Sequence, residues 1–130
     1  MSGCRWGTSL EEALGDVVLG DSDSKGRVAV AIPDATRPLD PVPALHALRC
    51  RASGDLQVVV GLGLHRRMLP AELAHHSVRD GFTPVQHDPD DVRETGVVDG
   101  IPGFVSRHID GCSVVIGLGI AELHQYAGIS

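Results

Sequence analysis

Four short apolar runs along the chain predict β-strands. They are rich in Val and Ile, each closes at a glycine, a proline or a polar residue, and they span residues 28–32, 56–60, 101–109 and 113–116. The first, second and fourth runs are continuous rather than alternating, which is typical of strands covered on both faces. A further short edge strand is predicted over 83–86.

Two segments between these runs have helical spacing. In residues 41–51 the apolar positions recur at helical intervals, with Asp40 ahead as a cap and Pro41 at the first helical position. The second segment, 69–79, opens with Pro70 and carries an acidic residue in its first turn. Alternating strands and helices predict an α/β fold, which is a mostly parallel sheet with flanking helices and Rossmann-like character.

The length fits one domain. The chain has 130 residues, and no linker divides it, so a single domain is predicted over residues 26–130, after a flexible lead-in over 1–25. No apolar run approaches the roughly 20 residues of a membrane span, and the amino terminus is unlike a signal peptide. The three cysteines are too far apart for a disulfide framework or a Cys-x-x-Cys pair, which predicts a soluble, cytoplasmic protein.

Charge and motif content exclude several functions. The chain has seventeen acidic residues and eleven basic ones, and the basic residues form no cluster, which argues against nucleic-acid binding. The glycines of 61–66 resemble a dinucleotide fingerprint, but Arg66 stands where its third glycine belongs. Phosphate-loop, nucleophile-elbow and zinc signatures are missing. Lys25 is the only lysine, which leaves little room for Schiff-base chemistry.

Reactive residue types follow the predicted strands. Ligands of an open parallel sheet bind beyond the carboxyl ends of its strands, and there the sequence places Asp34, Thr36, Arg37, His65, Arg66, His87, Glu122, His124 and Tyr126. Each motif alone has a structural explanation, such as a capped turn with a surface ion pair. Together they predict a pocket for proton transfer on a small anionic molecule. His46, His75, His76 and His108 are interpreted as surface or core residues.

These motifs resemble the amino-terminal domain of the lactate racemase family, whose enzymes use a nickel-pincer nucleotide. The family's Asp-x-Thr-Arg-Pro loop is matched by residues 34–38, its Gly-x-His-Arg turn by 63–66 and the following helix by 68–73. Its His-Asp step is matched at 87–88, and its His-x-x-Ala-Gly segment at 124–130.

The resemblance implies roles for individual residues. The two family histidines act as paired acid and base, and the Asp-x-Thr-Arg loop helps to hold the cofactor and the substrate anion. The resemblance thus implies acid–base roles for His65 and His124 and binding by the loop that carries Asp34. Together with the motifs that follow the other strands, this predicts His65, His124 and Asp34 as catalytic residues and Thr36, Arg37, Arg66, His87 and Tyr126 as substrate-binding residues.

The family's cofactor is not expected on this chain. In the family a Gly-Gly-x-Lys motif follows, and its lysine carries the cofactor; the matching position falls beyond Ser130. We predict no cofactor and no metal.

Two hypotheses follow. In the first, the protein is a small cofactor-independent enzyme that performs isomerisation, elimination or cyclisation on a carboxylated or carbonyl substrate. In the second, it is a subunit that completes its site with a separate carboxyl-terminal partner, or that binds a nucleotide without turnover. Because the pocket of the family is roofed by the second domain, self-association is also expected.

Overall fold

The centre of the molecule is a four-stranded parallel sheet. The computed structural model describes residues 12, 19, 26–78, 81–124 and 128–129. Along the chain the elements are β1 (Val28–Pro33), α1 (Val42–Arg49), β2 (Leu56–Gly61), α2 (Pro70–Leu73), a π-helical turn (Ala74–Val78), β3 (Val85–Gln86), β4 (Val92–Val98), β5 (Ile101–Ser106), β6 (Val114–Gly117), β7 (Leu123–His124) and β8 (Gly128–Ile129).

The strand order in the sheet is β3-β2-β1-β6, with every neighbouring pair parallel. The prediction of a mostly parallel α/β sheet with flanking helices is therefore confirmed. Pro33 is in register with Gly61, and Val60 with Gln86. Since all four strands run in one direction, the loops after β1, β2, β3 and β6 leave from the same edge of the sheet.

The core lies where α1 covers the central strands. Val30 and Ile32 of β1 and Val58 and Val60 of β2 are buried together with Leu45, Leu48, Leu62, Met68 and Phe82. The ring of Phe82 lies beneath the Arg49 guanidinium, at 3.6 Å from the ring centroid. Helix α1 begins one residue later than its predicted start, so the N-cap is Pro41 and not Asp40 as predicted, although the Asp40 carboxylate accepts a hydrogen bond of 3.2 Å from the Val42 N–H.

The predicted strand over 101–109 was wrong in its extent and its placement. Strand β5 ends at Ser106 and pairs antiparallel with β4, in a hairpin outside the parallel sheet. Asp99 and Gly100 form its turn with φ of 52° and 80°, as two-residue hairpin turns require. Polar Arg93, Glu94 and Thr95 interrupt the apolar pattern of β4, and this strand was not predicted.

One further expectation needs correction, and one residue of the predicted lead-in has a defined place. Strand β6 alternates between partly buried and exposed residues and is not covered on both faces, because it is an edge strand of the sheet. Leu19, in the predicted lead-in, forms a parallel bridge with Ala52 and packs against the core. Apart from residues 12 and 19, the lead-in lies outside the described residues.

Candidate functional site

The loop after β1 holds a buried carboxylate. Asp34 is 5 % exposed, and its Oδ1 accepts hydrogen bonds from the Thr36 N–H at 3.0 Å and from the Thr36 hydroxyl at 2.5 Å. Burial by itself raises the pKa of Asp34, but the hydrogen bonds from Thr36 and His65 outweigh it, so the pKa lies below its ordinary value. Asp34 is therefore ionised near neutral pH.

The loop after β2 brings His65 to this carboxylate. Its Nδ1 lies 2.6 Å from the second oxygen of Asp34, Oδ2. Gly63, with φ of 55°, turns the chain sharply, and the His65 N–H donates to the Leu62 carbonyl at 2.8 Å. The His65 side chain is half exposed, whereas that of Asp34 is buried. The pair thus has one buried end and one end open to solvent.

The hydrogen bond fixes the protonation pattern of the ring. An ionised carboxylate can only accept, so the proton of neutral His65 sits on Nδ1 and leaves a lone pair on Nε2. Within the described part of the chain, nothing hydrogen-bonds to Nε2. The arrangement equips His65 to accept a proton from a bound molecule and Asp34 to stabilise the resulting imidazolium.

A cleft of about 340 Å³ adjoins the pair. Its lining consists of Asp34, Ala35, Thr36, His65, Arg66, Met68 and Glu72. Its volume suits a small molecule. Four of the residues predicted from the sequence, Asp34, Thr36, His65 and Arg66, thus lie together around this cleft.

The guanidinium groups at this edge already hold carboxylates. Arg66 makes two hydrogen bonds to Glu72, of 2.9 and 2.8 Å. Arg37 donates to Glu122 at 2.7 Å, which joins the loops after β1 and β6. A substrate anion must therefore exchange with a protein carboxylate at either arginine, a competition that the sequence did not reveal.

His87 lies in a different cleft from Asp34 and His65. It follows β3, donates its backbone N–H to the Val60 carbonyl at 2.9 Å, and lines a cleft of about 520 Å³ with Val92, Phe104 and Ser106. Its Nδ1 is buried without a hydrogen-bond partner among the described residues. The structure thus does not bring His87 into the Asp34–His65 cleft.

The remaining predicted residues are His124 and Tyr126. His124 pairs through its backbone with Gly128 in the β7–β8 ribbon. Its side chain, and all of Tyr126, lie outside the described residues. The proposed partnership of His65 with His124 stays a prediction.

One histidine near the site was assigned no function from the sequence. His76 is 8 % exposed and donates from Nε2 to the carbonyl of Pro33, at 2.9 Å. Pro33 directly precedes Asp34, so His76 contacts the loop that carries the buried carboxylate. The contact joins residues 43 positions apart, and no local motif indicates it.

The described residues do not provide the groups that would hold the nickel-pincer nucleotide that the family resemblance implies. They include no lysine and no group of three or more His, Cys, Asp or Glu side chains that could hold a metal ion. None of the described helices is long and apolar enough to cross a membrane.

Fold and site together define an α/β domain with a hydrogen-bonded Asp–His pair above a small cleft at the carboxyl edge of a parallel sheet. The family model of the lactate racemase N-terminal domain matches residues 9–130. The chain belongs to this family, as its Asp-x-Thr-Arg-Pro and Gly-x-His-Arg motifs predict. The match starts within the segment predicted as a lead-in. A search of curated proteins finds no match to the sequence.

Proposed function

We propose that the Asp34–His65 pair is the acid–base centre of a small enzyme that acts on carboxylated or carbonyl compounds. One observation carries the proposal: a buried, ionised carboxylate lies 2.6 Å from Nδ1 of a half-exposed histidine. A surface ion pair needs neither the burial of Asp34 nor the two additional hydrogen bonds from Thr36. The reaction class is isomerisation, elimination or cyclisation.

The proposed reaction begins with proton abstraction. His65 Nε2 takes a proton from a carbon next to the carbonyl or carboxyl group of the substrate, and the electron pair moves toward the substrate oxygen. Asp34 stabilises the imidazolium that forms, without itself becoming protonated. In an isomerisation, either His65 returns this proton to a different face or atom, or His124, as predicted, donates a proton of its own while His65 keeps the one it took. Such proton transfer contributes about 10²- to 10⁴-fold in rate.

The substrate anion is proposed to bind at Arg37, whereas Arg66, which the sequence also predicts to bind substrate, keeps its pair with Glu72. A guanidinium presents two parallel N–H donors to a carboxylate. Both pairs with protein carboxylates involve partly exposed side chains, and such surface pairs are worth only about 0–1 kcal/mol. Exchange of Glu122 for a substrate carboxylate at Arg37 is therefore inexpensive.

The proposed chemistry needs no covalently attached cofactor. The intact mass of the purified protein should equal the mass of its sequence. A stable adduct of nucleotide mass, or stoichiometric nickel, would contradict this part of the proposal.

Deuterium uptake tests the acid–base role. The protein is incubated in deuterated water with a panel of small 2-hydroxy, 2-oxo and 3-hydroxy carboxylates, and carbon-bound deuterium and products are followed by NMR. The parent should exchange or convert at least one compound, and His65→Gln should lower the rate by about 10²- to 10⁴-fold. His108→Gln, in the turn after β5, is the matched control and should behave like the parent. A parent that is inactive on the panel refutes the proposal.

A second candidate function is a site completed by another chain. The β4–β5 hairpin supports it, because Val97, Val98, Ile101 and Phe104 are all more than half exposed. Apolar residues grouped in this way mark contact surfaces, and an isolated hairpin is marginally stable in water. The partner is either a second copy of this chain or a separate carboxyl-terminal domain.

Sedimentation distinguishes these partners. A second copy predicts a concentration-dependent dimer that Val98→Glu dissociates, whereas Glu12→Gln, at an exposed position outside the hairpin, leaves it intact. A monomer at all concentrations favours the separate partner.

A further inference from the structure

One short helical segment contacts both sides of the Asp34–His65 pair. The segment runs from Pro70 through α2 into the π-helical turn that ends at Val78. Glu72, near its start, contacts the loop that carries His65. His76, four positions later, contacts the strand end that carries Asp34.

The Glu72 end of the segment fixes the loop after β2. Its carboxylate accepts two hydrogen bonds from Arg66, the residue after His65, and a third of 2.7 Å from the Leu69 N–H. These bonds from Arg66 and Leu69 lower the pKa of Glu72 to about 2. Glu72 is therefore a carboxylate throughout the neutral range and does not serve as a proton donor there.

The His76 end fixes the loop after β1. A carbonyl oxygen can only accept, so the hydrogen bond to Pro33 places a proton on His76 Nε2. The ring is buried, which keeps water from competing for that carbonyl. Since the next residue along the chain is Asp34, displacement of the Pro33 peptide displaces the Asp34 carboxylate as well.

The helix changes its geometry between these two contacts. Pro70–Leu73 is α-helical, whereas Ala74–Val78 is π-helical. A π-turn holds more residues than an α-turn, so it changes the direction in which the following side chains leave the axis. Such turns are rare and occur frequently at functional sites. Here the π-turn contains His76, the residue that reaches the Pro33 carbonyl.

From this geometry we infer that Glu72 and His76 are positioning residues that clamp His65 and Asp34 at hydrogen-bonding distance. The inference rests on the proposed function for its effect on catalysis, but the clamp itself is a property of the free protein. Rate is sensitive to such positioning, because a misplacement of about 1 Å costs on the order of a hundredfold.

The clamp predicts a specific pattern among four variants of the full chain. His76→Leu keeps the bulk of the ring and removes the N–H, so kcat should fall about 10- to 100-fold with KM changed less than threefold. His76→Gln restores an N–H donor and should recover most of kcat. Glu72→Gln should lower kcat in the same direction. His75→Leu, an exposed neighbour on the same segment, is the matched control.

A spectroscopic measurement on the free protein is independent of activity. The Nδ1 proton of His65, held against a carboxylate, should give a low-field imidazole N–H resonance, which His65→Gln identifies by its loss. The resonance should broaden or vanish in His76→Leu and weaken in Glu72→Gln, and should persist in His76→Gln and His75→Leu.

Each outcome decides one claim. The inference is overturned if His76→Leu is folded and keeps the parent's resonance and kcat. It is also overturned if His75→Leu loses as much of the resonance and kcat as His76→Leu, or if the parent lacks the resonance. If His76→Leu fails to fold, Glu72→Gln decides, because its side chain is partly exposed; unchanged resonance and kcat there overturn the clamp. If the parent has no activity but the resonance disappears in His76→Leu, the clamp stands and the proposed function fails.

Discussion

Replacement of Asp34 by Asn tests how the buried carboxylate acts on His65. Thr36 donates to Asp34 from both its backbone N–H and its hydroxyl, so the oxygen of an Asn amide must face Thr36. The amide N–H₂ then faces His65 Nδ1, which becomes an acceptor, and the ring proton moves to Nε2. The ring would present a proton where the proposed reaction needs a lone pair.

The expected loss has two parts. The hydrogen bond to a charged group, worth about 1.5–3 kcal/mol, becomes a neutral one worth about 0.5–1.5 kcal/mol, and this loss of about 1–1.5 kcal/mol is roughly five- to tenfold in rate. The wrong tautomer adds to this loss. In the Ser-His-Asp proteases, replacement of the aspartate that orients the histidine base by Asn lowers kcat about 10⁴-fold. We therefore expect kcat of Asp34→Asn to fall by roughly 10²- to 10⁴-fold.

The assay is steady-state deuterium exchange with the compound that the parent turns over, together with circular dichroism to show that the variant is folded. Asp99→Asn is the control, because Asp99 lies in the hairpin turn with φ of 52°, a conformation that Asn adopts readily. A folded Asp34→Asn within threefold of the parent would refute the tautomer argument.

The other predictions concern the core, anion binding and acid stability. Phe82 is 1 % exposed, so Phe82→Ala should lower the free energy of unfolding by about 3–5 kcal/mol in urea titrations. Phe104 is exposed, and Phe104→Ala should change the free energy of unfolding by less than about 1 kcal/mol. Equal effects of the two substitutions would contradict the assigned core. Arg37→Lys should weaken binding of the carboxylate substrate about tenfold or more in calorimetry, and Glu122→Gln should strengthen this binding by removing the competing carboxylate. Unchanged affinity in both variants would mean that Arg37 forms only a surface ion pair. The pKa of Glu72 falls from 4.5 to about 2 on folding, so the ionised carboxylate stabilises the folded protein fully above pH 4.5, and this contribution is lost as the pH falls toward 2. In acid unfolding titrations, the free energy of unfolding of Glu72→Gln should therefore fall less over this pH range than that of the parent.

The sequence could predict the parts of the site that local patterns encode. Continuous apolar runs identified β1 and β2, and the rule that ligands bind at the carboxyl edge of parallel strands selected Asp34 and His65. These two side chains lie 31 positions apart in the chain, yet strand direction alone brings their loops together.

Other features depend on contacts that no local pattern encodes. The role of His76 requires the path of the π-turn past the end of β1, and the pairing of Arg37 with Glu122 spans 85 positions. The β4–β5 hairpin was missed because polar residues mask the apolar positions of β4, although Asp99-Gly100 is a hairpin-turn signal.

Chemical rescue of a His65 variant shows whether the imidazole of His65 is the base that takes the substrate proton. His65 is half exposed beside an open cleft, so free imidazole can occupy the space that His65→Ala leaves. The variant should lose deuterium exchange into the substrate, and added imidazole should restore part of that exchange in proportion to the imidazole concentration. Exchange by His65→Ala at the parent's rate without imidazole would contradict the assignment of His65 as the base.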